Sequence, residues 1–150
     1  DNIPMDHFGC YYRTGSASGL GWACGAALGL GIMRTDKTVI NVVGDGAYYF
    51  GNPLAYHAVA NQYNISIITI VLNNSGMFSI AQNVKDQFSD VNMSKYQGLP
   101  FLSFKDNIKY EKVSDIFGFI GYQSRTIEEL KKYLKIALES NLQNVINVVM

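Results

Sequence analysis

Val39-Ile40-Asn41-Val42-Val43-Gly44-Asp45-Gly46 opens the stretch that decides the fold, and Ile65 to Leu72 followed by Asn73-Asn74-Ser75-Gly76 closes it. Each half is an apolar, β-branched run that stops on small polar residues, as a strand does at a turn. Between them Asn52-Pro53 marks a helix start: Asn caps free N–H groups, and Pro is tolerated at the first helical position. Leu54, Ala58 and Val59 supply the buried face predicted for that helix. Strand, helix, strand is the crossover unit of a parallel sheet. Such strands are expected to be buried on both faces. Both end on the carboxyl edge, where α/β proteins bind ligands. There Asp45 and Asn74 offer hard oxygen donors, and Gly44, Gly46 and Gly76 let a charged group approach the backbone. One carboxylate with neutral oxygens suits Mg²⁺, which completes its octahedron with water and phosphate oxygens.

Moving toward the N-terminus, Thr38 belongs to the first strand and Arg34 to Lys37 is a polar turn. Before it, Trp22 to Met33 reads as a helix that carries Gly25, Gly29 and Gly31. Each glycine costs about 1 kcal/mol against alanine, so the small face calls for a close neighbour: a sheet, a helix or a ligand. The loop Gly15 to Gly21 precedes it. Its Gly19-Leu20-Gly21 lacks the spacing and the leading strand of a GxGxxG nucleotide loop. Residues 1–14 hold an edge strand or an entering loop.

Toward the C-terminus, Met77 to Gln82 starts a short helix and residues 83–109 read as an irregular segment of the kind that carries function. Val113 to Phe117 is a short helix and Phe119 to Gln123 a strand. Thr126 and Glu129 form a capping box. It opens a helix whose stripe is Ile127, Leu130, Leu134, Ala137 and Leu138, with Glu128 and Lys132 paired on the wet side. Val145 to Met150 is the last strand. The alternation is that of an α/β fold, a three-layer doubly wound parallel sheet.

At 150 residues and zero net charge, the chain is one domain without the basic face that nucleic acid requires. Cys10 and Cys24 fit no metal or disulfide pattern and read as free thiols of a reducing, cytoplasmic setting. Thr14 to Met33 is uncharged and long enough to span a bilayer, but its Gly, Ser and Ala give little apolar area, so no membrane span is expected. His7 and His57 read as packing or surface residues. With Asp1 first and no signal peptide, the sequence reads as a piece of something longer.

With Gly44-Asp45-Gly46 and Asn73-Asn74 separated by Ala47 to Leu72, the chain resembles the C-terminal, diphosphate-binding domain of thiamine diphosphate-dependent enzymes. Gly19-Leu20-Gly21-Trp22-Ala23 and Gln62-Tyr63-Asn64-Ile65 are similar to the acetolactate synthase and benzoylformate decarboxylase branch. The resemblance implies thiamine diphosphate and Mg²⁺ as cofactors. The metal would sit on Asp45, the Asn74 side chain and the Gly76 carbonyl. Gly46, Ala47, Met77 and Phe78 would donate amides to the diphosphate. Leu20 would wedge between the two rings beside Gly19, and the backbone at Ser18 would accept from the aminopyrimidine. The family's glutamate lies on a pyrimidine-binding domain, in the same chain or in a partner subunit of a homodimer or homotetramer. Glu111, Glu128, Glu129 and Glu139 do not match it, so no catalytic residue is expected here and the chain is expected to hold half of an active site. A small 2-oxo acid is the expected substrate, with pyruvate to acetolactate first and an acyl-CoA lyase or plain decarboxylase close behind. The rival class is a flavodoxin- or Rossmann-like nucleotide module without catalysis.

Overall fold

A computed structural model describes residues 7–15, 19–88, 102–105 and 108–150. It contains four parallel strands in the order β1-β2-β4-β3: β1 (Val39–Gly44), β2 (Ile67–Asn73), β3 (Ile120–Ser124) and β4 (Asn144–Val149). The helices are α1 (Trp22–Met33), α2 (Asp45–Phe50), α3 (Pro53–Gln62), α4 (Phe78–Gln87), α5 (Ser114–Phe117) and α6 (Ile127–Ser140). A 3₁₀ turn, Tyr110–Val113, leads into α5.

The chain steps from β1 to β2, then past one position to β3, and returns through α6 to β4. Right-handed crossovers put helices on one face while the strand order advances and on the other when it reverses. The two apolar clusters follow that rule. One joins Cys24 and Ala27 of α1, Tyr48, Tyr56 and Ala60 to Val43, Ile67, Val71 and Val145. The other sets Leu130, Tyr133, Leu134 and Ala137 of α6 against Ile68, Ile70 and Ile146. These are the three layers expected.

Several local readings change. β1 is buried on one face only: Ile40 is 44% and Val42 56% exposed, because α6 covers the sheet near β4 and β3 and stops short of β1. Leu54 is exposed, and α3 buries Tyr56, His57 and Ala60 instead. α4 continues to Gln87, further than the short helix expected. Residues 7–15 contain no strand. The Thr126 hydroxyl accepts from the Glu129 amide at 3.1 Å, while the Glu129 carboxylate reaches back to the Arg125 amide, one residue before the cap. Among the described residues the ion pairs are Arg34–Asp36 and Lys112–Asp115, and Glu128–Lys132 does not form.

Of the glycines in α1, Gly31 alone meets a close neighbour: a Cβ there would fall 2.4 Å from Ile65 Cγ2. Gly25 and Gly29 face open space. Cys10 is exposed and Cys24 buried, the Cys24 thiol pushed up to about 11 by burial. No described helix is long and apolar enough to cross a membrane.

Candidate active-site half

β1 and β2 pair with Gly44 beside Leu72, so their next residues emerge side by side from the sheet's carboxyl edge. Asp45 does not lie in a loop. It is the first residue of α2, 1% exposed. Its Oδ1 accepts from the Gly46 amide at 2.9 Å and its Oδ2 from the Gly76 amide at 3.0 Å. Burial raises its pKa, and the amides of Gly46, Gly76 and Ser75 partly counter that shift. Among the described residues no positive side chain pairs with this carboxylate, so a cation could be held there.

Asn74 meets it from the end of β2. One corner of the Asn74 carboxamide lies 3.1 Å from Asp45 Oδ1 and 2.9 Å from the Gly76 carbonyl oxygen. With nitrogen at that corner, the amide donates to both oxygens. With oxygen there, it faces the Asp45 and Gly76 oxygens, and a bound cation would relieve the repulsion between them. The spacing suits Mg²⁺: oxygens on adjacent corners of its octahedron are roughly 3 Å apart when each is about 2.1 Å from the metal. Among the described residues no three His, Cys, Asp or Glu side chains cluster, so a metal here must rely on amide and carbonyl oxygens as this triad does.

Ser75 adopts φ 60° to bring Gly76 beneath Asp45. Asn73 shapes that turn: its Oδ1 accepts from the Ser75 amide at 3.2 Å. Gly46 has no room for a side chain, since a Cβ would lie 2.8 Å from Met77 Cγ. A segment distant in sequence then straps the loop. Met77 donates to the Leu102 carbonyl and Phe104 to the Ser75 carbonyl, each at 2.8 Å, and the Phe104 ring packs 5.7 Å from Tyr49.

Gly46 and Ala47 lie in the first turn of α2, Met77 caps α4, and Phe78 is its first residue, 69% exposed. The Gly46 and Met77 amides already have partners, Asp45 and Leu102. Leu20 is 43% exposed in the loop before α1. Gly21 seats that loop against the end of α2, where a Cβ would be 2.7 Å from the Gly51 nitrogen, and its φ of 88° also excludes other residues. Gly19, Leu20, Trp22 and Phe50 line an open groove of about 740 Å³. Asp45 and Asn74 are not in its lining. Ser18 lies outside the described residues.

Sequence reasoning passed over the support beneath Asp45. Tyr48, one turn along α2, donates its hydroxyl to His57 Nε2 at 2.8 Å, and His57 Nδ1–H donates to Gln143 Oε1 at 2.9 Å. Those partners fix the tautomer. Burial pulls the His57 pKa down to about 4. Glu111 is also buried, held by Asn147 at 2.8 Å.

The family model for the thiamine pyrophosphate enzyme C-terminal TPP binding domain matches residues 2–148. The chain belongs to that family. It is 29% identical over 156 residues to 3D-(3,5/4)-trihydroxycyclohexane-1,2-dione hydrolase of Bacillus velezensis, covering 98% of this chain and 22% of that protein. It is 30% identical over 118 residues to 2-hydroxyacyl-CoA lyase 1 of Dictyostelium discoideum, covering 78% of this chain and 20% of the relative. It is 29% identical over 130 residues to the acetolactate synthase large subunit of Buchnera aphidicola from Schizaphis graminum, covering 86% and 21%. Among solved structures it resembles the thiamine diphosphate-dependent 4-hydroxybenzoylformate decarboxylase of Rhodococcus jostii, with a TM-score of 0.73 and 25% identity over 87% of this chain and 23% of that one. The chain thus spans about a fifth of the length of the relatives it matches. It is a thiamine diphosphate-binding C-terminal domain of an enzyme family whose members include synthases, lyases, decarboxylases and hydrolases.

Proposed function

We propose that this chain supplies the diphosphate and metal half of the active site in a Mg²⁺-dependent enzyme that makes or breaks a carbon–carbon bond beside a carbonyl. Acetolactate synthase-like carboligation of a small 2-oxo acid is the first reading. The observation that supports the metal is the Asn74 carboxamide lying 3.1 Å from Asp45 Oδ1 and 2.9 Å from the Gly76 carbonyl oxygen, spacings that match the edges of an octahedral site once the carboxamide turns its oxygen toward the ion. Asp45 brings the one negative charge, and the two neutral oxygens leave positive charge on the ion to attract a diphosphate. The starts of α2 and α4 would supply backbone N–H groups to the diphosphate, as helix starts do for anions. Leu20 gives the cofactor an apolar support from the opposite loop. When bound, thiamine diphosphate supplies a nucleophilic carbon and an electron sink; this domain fixes its position and charge.

A pyrimidine-binding domain, in the same chain or a partner subunit, would contribute the glutamate, within a cytoplasmic homodimer or homotetramer. The 2-hydroxyacyl-CoA lyase relatives, matched at 30% identity, support lyase chemistry on an acyl-CoA as the second reading. The experiment is a thermal melt of the full-length protein with thiamine diphosphate and Mg²⁺, together and apart. The pair together is expected to raise Tm, and NAD or FMN is expected to leave it unchanged. A Tm rise with NAD or FMN alone would return the fold to a nucleotide module. Assays with pyruvate and with a 2-hydroxyacyl-CoA then separate the two enzyme readings.

A further inference from the structure

We infer that Asn73 is a positioning residue for the metal loop, acting through a turn it closes and a tether it makes; this rests on the metal reading above. Asn73 ends β2 and is 2% exposed, so its carboxamide is committed to protein partners. Its Oδ1 accepts from the Ser75 amide at 3.2 Å. Its Nδ2 donates to the Ile108 carbonyl at 3.1 Å. Its own carbonyl accepts from the Met150 amide at 3.0 Å.

The first bond has the consequence for the site. An Asn oxygen that accepts from the amide two residues on closes a side-chain turn and tolerates the left-handed backbone that follows. Ser75, at φ 60°, is a residue with a Cβ held in that region. The turn delivers the Gly76 amide to Asp45 Oδ2 at 3.0 Å and sets the Gly76 carbonyl 2.9 Å from the Asn74 carboxamide. Without the Asn73 oxygen, the Ser75 amide loses the acceptor that closes the turn and keeps only its interaction with Asp45, and two of the three oxygens proposed for the metal lose the turn that aims them.

The tether has a built-in control. Asn147 on β4 donates to the same Ile108 carbonyl at 3.3 Å and to Glu111 Oε2 at 2.8 Å, yet makes no bond to the loop. A variant at Asn147 therefore loosens residues 108–111 without touching the turn. A role for Asn73 that is only structural would make the two variants alike.

The test is Mn²⁺ binding to the full-length protein, read by electron paramagnetic resonance in the presence of thiamine diphosphate, beside thermal melts. Removing a group that orients a metal ligand weakens metal affinity by roughly 10–100-fold, and Asn73→Ala is expected to fall in that range. Asn73→Asp keeps the acceptor for the Ser75 amide but sets a carboxylate oxygen against the Ile108 carbonyl, so it is expected to lower Tm while its Mn²⁺ affinity falls by no more than about threefold, a fraction of one hydrogen bond's worth. Asn147→Ala is expected to lower Tm and leave Mn²⁺ affinity unchanged. Parent-like affinity in Asn73→Ala, or equal losses in Asn73→Ala and Asn147→Ala, would overturn the inference. Should Asn73→Ala not fold, Asn73→Leu, which keeps the volume and removes the acceptor, takes its place: tenfold weaker Mn²⁺ there supports the inference, and parent-like affinity overturns it. A parent protein that binds no Mn²⁺ would instead overturn the metal reading itself.

Discussion

Two buried ionisable residues, Asp45 and His57, have opposite tasks. Asp45 has its pKa raised by burial, so ionising it in the metal-free protein costs stability and a cation repays that cost. Asp45→Ala is therefore expected to melt within about 2 kcal/mol of the parent when metal-free, the buried carboxylate's desolvation offsetting its two hydrogen bonds. The same variant is expected to lose the whole Tm rise that thiamine diphosphate with Mg²⁺ produces, and a calorimetric melt with and without the pair checks both. His57 works the other way. Its folded pKa of about 4 lies below its ordinary 6.5, so the folded state binds fewer protons than the unfolded chain between those values. Its contribution is complete above pH 6.5 and is lost as pH falls toward 4. The loss is on the order of 3 kcal/mol over that window. His57→Gln is expected to flatten the acid side of a stability–pH curve measured by urea titration, and an unchanged slope would show that His57 is not the group responsible.

At the scale of elements, α1 shows how space rather than propensity sets the cost of a glycine. Gly29→Ala is expected to gain about 1 kcal/mol of helix propensity, because nothing occupies the Cβ position. Gly31→Ala is expected to lose about 1–3 kcal/mol by pushing α1 off Ile65. Paired chemical denaturation curves test the difference in sign. The helix itself was legible because Trp22 to Met33 is bounded by glycines and a polar turn; which of its glycines touched the sheet was not, since that depends on how α1 crosses β2. The same holds for the site. Asp45 and Asn74 were readable because each follows directly on an apolar strand, and adjacent parallel strands bring such residues together. Residues 102–104 were not, because their bonds to Ser75 and Met77 join segments far apart in sequence. Leu54 misled for a related reason: the face of α3 is set by Tyr56 and His57, whose polar tips find buried partners in Thr69, Tyr48 and Gln143 and so allow those rings inside.

The molecule as a whole is asymmetric about its sheet. β3, β4 and β2 lie between two layers, whereas β1 carries α1 and α2 on one face and exposes Ile40 and Val42 on the other. Among the described residues β1 pairs with β2 alone, and no other described strand lies along its far edge. An open edge with the sequence Val39-Ile40-Asn41-Val42-Val43, apolar and uncharged, is a template for pairing with another chain. The 150-residue chain expressed by itself is therefore expected to self-associate through β1. Val42→Lys places a charge on the uncovered face and is expected to shift the chain toward monomer, read by light scattering across a concentration series. In the full-length protein the same substitution is expected to lower Tm if other parts of the enzyme cover this face, and to leave Tm unchanged if they do not. Comparing the two contexts thus measures how far the open side of β1 belongs to the domain alone or to the assembly that completes the active site.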